Sequence, residues 1–237
     1  MTRIEFLSET GSTNADLKAR LLAGGPLAEG FWLVARRQTA GRGREGRTWF
    51  DGAGNFMGST LVQPGPGDPP AQSLALVAGL AVRDAVVAYL PDASAAVLKW
   101  PNDLLVGGGK IAGMLLEGVE GAIVAGIGVN LATAPVIAGR ATTSLQQAGE
   151  VPTPDAFAAR LADYFASEVE RWRQFGLDLL LRRWTAAAHP VGTPLRVIAP
   201  GGGIMDGEFA GLDPGGALRL RLADGATRVI HAADVEL

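Results

Sequence analysis

The chain has 237 residues, of which 48% are hydrophobic and 19% charged, with a formal net charge of −3 and no cysteine. That is enough apolar material for one good-sized domain with a buried core, alone or with a small appendage, and global disorder is excluded. Disulfides, thiolate catalysis and cysteine-ligated zinc are excluded too, and the mild acidity argues against a general nucleic-acid or membrane surface.

Ile4 to Leu7 has strand character, and Ser12-Thr13-Asn14 opens a helix with Leu17, Leu21 and Leu22 as its apolar stripe. Thr13 and Asp16 stand at capping-box spacing, and Gly24-Gly25-Pro26 stops the helix. Phe31 to Arg37 and Phe56 to Val62 read as strands, and Gln63 to Pro70 as a Pro/Gly loop. Ala71 to Leu90 is apolar on nearly all sides, which predicts a helix buried on several of them. Two short strands follow between Ala96 and Val106, around a Pro101-Asn102-Asp103 corner. Gly107 to Gly109 turns into a strand from Lys110 to Glu117, and Ala122 to Asn130 is an apolar strand carrying Gly126 and Gly128. Such glycines mark either close approach by a ligand or a bend in the sheet. Helices are predicted from Pro154 to Trp172, with Thr153 as N-cap, and from about Leu177 to Ala187. Their stripe of Phe157, Leu161, Tyr164, Phe165, Val169 and Trp172 reads as core. From Val191 the texture changes to short alternating strands with turns at 201–203, 213–216 and 224–225, which predicts a small β-barrel. The expected division is therefore 1–188 and 189–237. No apolar run reaches the roughly 18 residues of a membrane span, and nothing before the first strand reads as a signal peptide. A soluble cytoplasmic protein is expected.

The stretch from Arg36 to Trp49 stands apart. It holds arginines at 36, 37, 42, 44 and 47 and glycines at 41, 43 and 46, between two predicted strands. Glycines let backbone N–H groups approach a ligand, and arginines clamp phosphate or carboxylate in bidentate fashion, so an anion is expected here. Gly41 to Gly46 also fits the dinucleotide fingerprint G-x-G-x-x-G, but the continuation Arg47-Thr48-Trp49-Phe50-Asp51-Gly52 does not open a helix as that site requires. A purely solvated charged loop and a disordered RNA-binding segment are the remaining readings. His189 and His231 are far apart in sequence, so no histidine metal site is expected.

Four motifs occur in one order: Ser12-Thr13-Asn14; Gln38-x-x-Gly-Arg-Gly-Arg-x-Gly-Arg-x-Trp49; Lys99-Trp-Pro-Asn-Asp103; and Lys110-Ile-Ala-Gly113 followed by Gly126-Ile-Gly-Val-Asn130. Together they resemble the biotin protein ligase family, over essentially the whole chain. The resemblance implies an α+β fold, a mixed β-sheet flanked by helices as in class II synthetases, followed by a small C-terminal SH3-like β-barrel. It also implies a two-step reaction. Biotin and ATP, the latter with Mg²⁺, form biotinyl-5′-AMP, and the biotinyl group then passes to a lysine of the biotin carboxyl carrier protein of acetyl-CoA carboxylase. Because a carboxylate must attack a phosphate, such catalysis rests on neutralising charge and positioning, with no Ser/His or Cys/His nucleophile.

By the same resemblance, Lys110 and Arg44 lie near the biotin carboxylate and the α-phosphate, with Lys110 the leading catalytic candidate. Asp103 either orients or deprotonates the incoming lysine amine or helps hold Mg²⁺. Ser12, Thr13, Asn14 and Gln38 line the biotin ureido end; Gly41, Arg42 and Gly43 form the biotin loop; Gly113, Met114, Gly126 and Gly128 wall the ring and acyl tail. Arg47 meets phosphate, Trp49 covers adenine, and Asn102 and Asn130 stand on the adenine and ribose side. No resident metal or redox cofactor, DNA or membrane is expected, and a homodimer is left open. Only eleven residues precede Ser12, so ligation without repression is expected. Glu45 departs from a position that is often basic in the family. On its own, a lysine after a glycine turn is a solvated strand end, Ser12 and Thr13 are helix caps, and Trp49 is core. A lipoate or octanoate transferase on a similar scaffold is the alternative.

Overall fold

The computed structural model describes residues 3–25 and 27–237, so the Pro26 part of the predicted helix stop lies outside it. Strands β1 (Ile4–Leu7), β2 (Trp32–Ala35), β3 (Phe56–Val62), β4 (Ala96–Lys99), β5 (Asp103–Val106), β6 (Gly109–Val119) and β7 (Ala122–Val129) make one sheet in the order β1-β2-β3-β7-β6-β5-β4. Only β1 and β2 are parallel, joined by helix α1 (Thr13–Leu22), since a parallel pair needs a crossover. The other neighbours are antiparallel and joined by turns or longer excursions.

The two faces of this sheet are covered unequally. On one, α1 packs Leu17 against Phe31, Leu33, Leu61 and Val124 in a small cluster. On the other, helices α2 (Leu74–Val87) and α4 (Pro154–Ala187) build the main core with Trp32, Phe56, Leu98, Ile127, Phe157, Phe165 and Trp172. The all-round apolar character of α2 has its explanation here, because it lies between α4 and the sheet. Glu168 of α4 is buried, and it is tolerated because Arg171 and Arg183 both pair with it.

The two predicted C-terminal helices are the two arms of α4, broken at Gly176, whose φ of 69° and ψ of −165° glycine alone adopts readily. Thr153 caps the start of α4, its Oγ1 accepting from Ala156 N at 3.2 Å. One local expectation changes. The capping box predicted for α1 does not form. Ser12 is the N-cap and makes no side-chain cap bond, Thr13 turns to Gln38 and Ser59, and Asp16 accepts from Thr10. A short helix α3 (Leu145–Ala148), with a capping box at Ser144 and Gln147, lies in a stretch that carried no prediction.

Strands β8 (Pro194–Ile198), β9 (Ile204–Leu212), β10 (Leu218–Arg221), β11 (Thr227–Ile230) and β12 (Asp234–Glu236) form a second, antiparallel sheet ordered β11-β10-β9-β8-β12, consistent with an SH3-like fold. Its inward residues Leu195, Val197, Phe209, Leu218 and Val235 join the same core as α2 and α4. Trp100 Nε1 also donates to Gly216 O across the junction at 3.2 Å. The last strand is thereby fixed beside the first sheet.

Candidate active site

Pairing register assembles the site. Lys99 pairs with Asp103, Asp103 with Gly113, and Gly113 with Gly128, a row across four strands whose side chains share one face. One step along, Leu115, Gly126 and Ser59 form a second row; beyond it lie Glu117, Val124 and Leu61. Lys99, Asp103, Gly113, Gly128, Leu115 and Gly126 of these rows floor a cleft of about 780 Å³, while Val124 and Leu61 lie beneath α1.

Lys110 reaches that cleft through a bulge. Pairing runs Leu104–Ala112 and then Leu105–Lys110, which leaves Ile111 as an extra residue on β6. Strict alternation from Gly113 would turn Lys110 toward the core. With the bulge, Ile111 and Ala112 both enter the core and Lys110 faces the cleft. Its Nζ lies 2.6 Å from Asp103 Oδ1, close enough for a strong ion pair although that oxygen has no aligned hydrogen-bond donor. Lys99 approaches the other oxygen at 3.4 Å. Asp103 is thus bracketed by two ammonium groups.

The arginine stretch is a folded hairpin. Arg42 bridges Thr48, Gly43 N donates to Arg47 O at 2.7 Å, and Trp49 N donates to Gly41 O at 2.9 Å. Its turn places Glu45 at φ 55° and Gly46 at φ 73°. Arg44 donates to Asn102 Oδ1 at 3.3 Å and to Ala233 O at 3.2 Å. Arg47 pairs with Glu45 at 2.9 Å and, more closely, with Asp234 of β12. The bond to Asp234 holds the Arg47 guanidinium above its ordinary range; burial pushes the Asp234 carboxyl up, but Arg47, with the charges of Arg44 and Arg140, more than offsets it and leaves the acid lowered. Trp49 lays its indole on Gly113 and Gly128, with Lys110 Nζ 5.7 Å from the ring centroid.

At the opposite end Ser12, Thr13, Asn14, Gln38 and Ser59 are all buried. Gln38 Oε1 accepts from Thr13 N at 2.7 Å, fixing the amide so that its Nε2 remains for a ligand. Asn14 rests on Gly126 so closely that a Cβ there would fall 2.3 Å from Asn14 Oδ1. Gly126 and Gly128 are thus glycines because two side chains of this protein need the room. Elsewhere on the cleft wall, Asn130 donates to Thr143 O at 3.1 Å while its buried Oδ1 has no hydrogen-bond partner among the described residues.

The cleft therefore gathers every predicted site residue except Gly41, which lies behind Gln38 and Trp49. Met114 lines the cleft as well, while its side chain packs toward α2 beside Gly79 in the core.

Residues 10–133 match the model of the biotin/lipoate A/B protein ligase family, and residues 192–237 match the biotin protein ligase C terminal domain. Over 242 residues the chain is 40% identical to a biotin–[acetyl-CoA-carboxylase] ligase of Paracoccus denitrificans, covering 97% of this chain and 98% of that one. The chain belongs to the biotin/lipoate A/B protein ligase family. A ligase of the same description from Mycobacterium tuberculosis is 37% identical over 98% of this chain and 88% of its own length. Among solved structures, the biotin protein ligase of Aquifex aeolicus in complex with biotin and ATP superposes with a TM-score of 0.86 at 23% identity, covering 100% of this chain and 99% of that one, a likeness of fold. The Leishmania major ligase in complex with biotinyl-5-AMP gives 0.69 at 27% identity, over 98% and 100%.

Within this ligase fold, several cleft residues escaped the sequence reading. Lys99 was read only as part of a motif. Arg140, Thr142 and Asp234 come from segments remote in sequence, and Ser59 and Glu117, which carry no motif, stand behind the lining and bond to Thr13 and Asn14. Strand alternation could have flagged Ser59, which with its neighbour Thr60 puts hydroxyls inside the apolar run of β3.

Proposed function

We propose that this chain is an ATP-dependent biotin protein ligase that activates biotin as biotinyl-5′-AMP and transfers it to a lysine of a biotin carboxyl carrier protein. The observation that carries this reading is the convergence of Arg44, from the hairpin, and Lys110, from the bulge, on one cleft. That cleft has a polar, hydroxyl- and amide-lined end on one side and Asn130 on the other.

In the first step a biotin carboxylate oxygen attacks the α-phosphorus of ATP. The new C–O–P bond forms as the bond to the β-phosphate breaks, and pyrophosphate leaves with its electron pair. Both reactants are anionic, so the barrier falls when fixed cations face the developing charge. Lys110 and Arg44 supply them, held by Asp103 and Asn102 before substrate arrives. Arg47 faces the departing phosphates, Trp49 covers the base, and Asn130 accepts from the nucleoside. Mg²⁺ travels with ATP as substrate; among the described residues no group of three His, Cys, Asp or Glu side chains converges to hold an ion. In the second step the carrier lysine amine attacks the acyl carbon, AMP leaves, and the amine gives up a proton. Asp103, with an ammonium at each oxygen, is better suited to holding Lys110 and Lys99 than to taking that proton.

Incubation with biotin, Mg·ATP and an apo-carrier domain should label the acceptor lysine and release pyrophosphate. No label on an acceptor that another ligase biotinylates would overturn the proposal.

A further inference from the structure

The polar end of the cleft has a definite hydrogen-bond direction, set by a residue outside every motif. Asn14 spends both amide N–H groups, one on Leu115 O at 3.2 Å and one on Glu117 Oε2 at 2.8 Å. Its Oδ1 can therefore only accept, and it does so from Ser59 Oγ at 2.6 Å. That uses the single Ser59 proton. In the 2.6 Å contact between Ser59 and Thr13 the donor must then be Thr13, whose one proton has a second, longer acceptor in Gln38 Oε1 at 3.1 Å, so that it points into the protein toward either partner. With its proton directed into the protein, Thr13 Oγ1 keeps only lone pairs for a ligand. The chain runs one way, from Thr13 through Ser59 and Asn14 to Glu117.

The terminus of that chain is charged. Lys18 Nζ lies 2.6 Å from Glu117 Oε1, and about a third of each of these two side chains is exposed. Burial pushes the Glu117 carboxyl up, but its bonds to Lys18 and Asn14, with the charge of Arg42, more than offset this and leave it below the usual carboxylate range. A hydrogen-bond chain ending on an anion is polarised along its length, so the far oxygen becomes a stronger acceptor. The inner members, Thr13, Asn14 and Ser59, are all buried, where such polarisation is least screened.

We propose that Glu117, with Lys18 as counter-ion, is a positioning residue that makes Thr13 Oγ1 an obligatory acceptor and so selects acids whose head group presents an N–H, as a cyclic urea does. Gln38 Nε2 supplies the complementary donor for a carbonyl. An acid of similar length without an N–H, such as lipoate, leaves the polarised Thr13 oxygen unpaired. This inference rests on the biotin reading and adds its means of discrimination.

The test is direct binding and steady-state kinetics with Glu117→Ala and the isosteric Glu117→Gln, using biotin, ATP and lipoate as probes. Losing a charged terminus should raise the biotin Kd and KM roughly 10- to 100-fold in Glu117→Ala, with kcat at saturating biotin and the KM for ATP little changed. Glu117→Gln, which keeps an acceptor without the charge, should lose less. Lipoate should gain on biotin in competition by the factor that biotin loses. A biotin Kd unchanged in both variants, or equal weakening for biotin and lipoate, would overturn the inference alone. A wild-type chain that binds no biotin would overturn the functional reading along with it.

Discussion

The indole of Trp49 lies on Gly128 so closely that a Cβ at that position would fall 2.2 Å from the ring, and one at Gly113 would fall 3.0 Å away. The hairpin that carries Arg44 and Arg47 is therefore seated on the sheet through an aromatic ring against bare backbone. Gly128→Ala needs no unusual backbone angle, so its cost is the collision, about 1–3 kcal/mol by the measure of overpacked sites. The expected result is a well-folded variant with a displaced Trp49, a changed tryptophan emission and adenylation slowed at least about tenfold. Unchanged emission and activity would show that the ring is not the hairpin's anchor.

Lys110→Ala should cut pyrophosphate release roughly 10²- to 10³-fold, the range seen when one preorganised charge is withdrawn from a reacting site. Its side chain is about a third exposed and Lys99 remains beside Asp103, so the melting temperature should barely move. A variant that loses stability and activity together would make the lysine structural.

Asp234 joins the second sheet to the arginine hairpin through Arg47, an ion pair with side-chain exposures of 22% and 40%. Pairs this exposed are worth at most about 1 kcal/mol. Asp234→Ala should therefore raise the KM for ATP only about twofold to fivefold and leave the KM for biotin unchanged. A rise in the biotin KM alone would contradict the placement of Arg47 on the phosphate side.

His189 sits between the two sheets with a buried, unpartnered Nε2. Burial, and secondarily the nearby Lys99 ammonium, push its imidazole down from 6.5 to about 4. The unfolded chain takes up this proton near pH 6.5 and the folded chain only near pH 4, so unfolding binds a proton in that interval. The residue's contribution to stability is whole above pH 6.5, declines as pH falls to about 4, and levels off below. His189→Asn should flatten the melting temperature against pH in that window. Parallel curves for wild type and variant would refute the shift.

Local chemistry was readable in the sequence where a signal is short-range: the apolar period of α2, the Thr153 cap, the glycine turn before β6 and the four motifs. Side-chain direction was readable only where alternation is strict. Lys110 and Met114 lie on either side of a bulge that no composition rule marks, and one unpaired residue there exchanges cleft for core. Thr13 has the spacing of a capping residue, yet two buried partners 25 and 46 positions away compete for its hydroxyl and win. Glu117, Ser59 and Asp234 enter the site only through pairing between distant strands, which a linear reading does not contain.

The closure of the cleft by β12 has a consequence for biosynthesis. A ribosome finishes Ser12 and the arginine hairpin long before Asp234, and until β12 zips onto β8 neither the Ala233 carbonyl nor the Asp234 carboxylate can hold that hairpin in place. A half-made polypeptide therefore holds that hairpin only through Trp49 on the sheet and Arg44 on Asn102, and the two contacts from the chain's last strand are added at the end of synthesis.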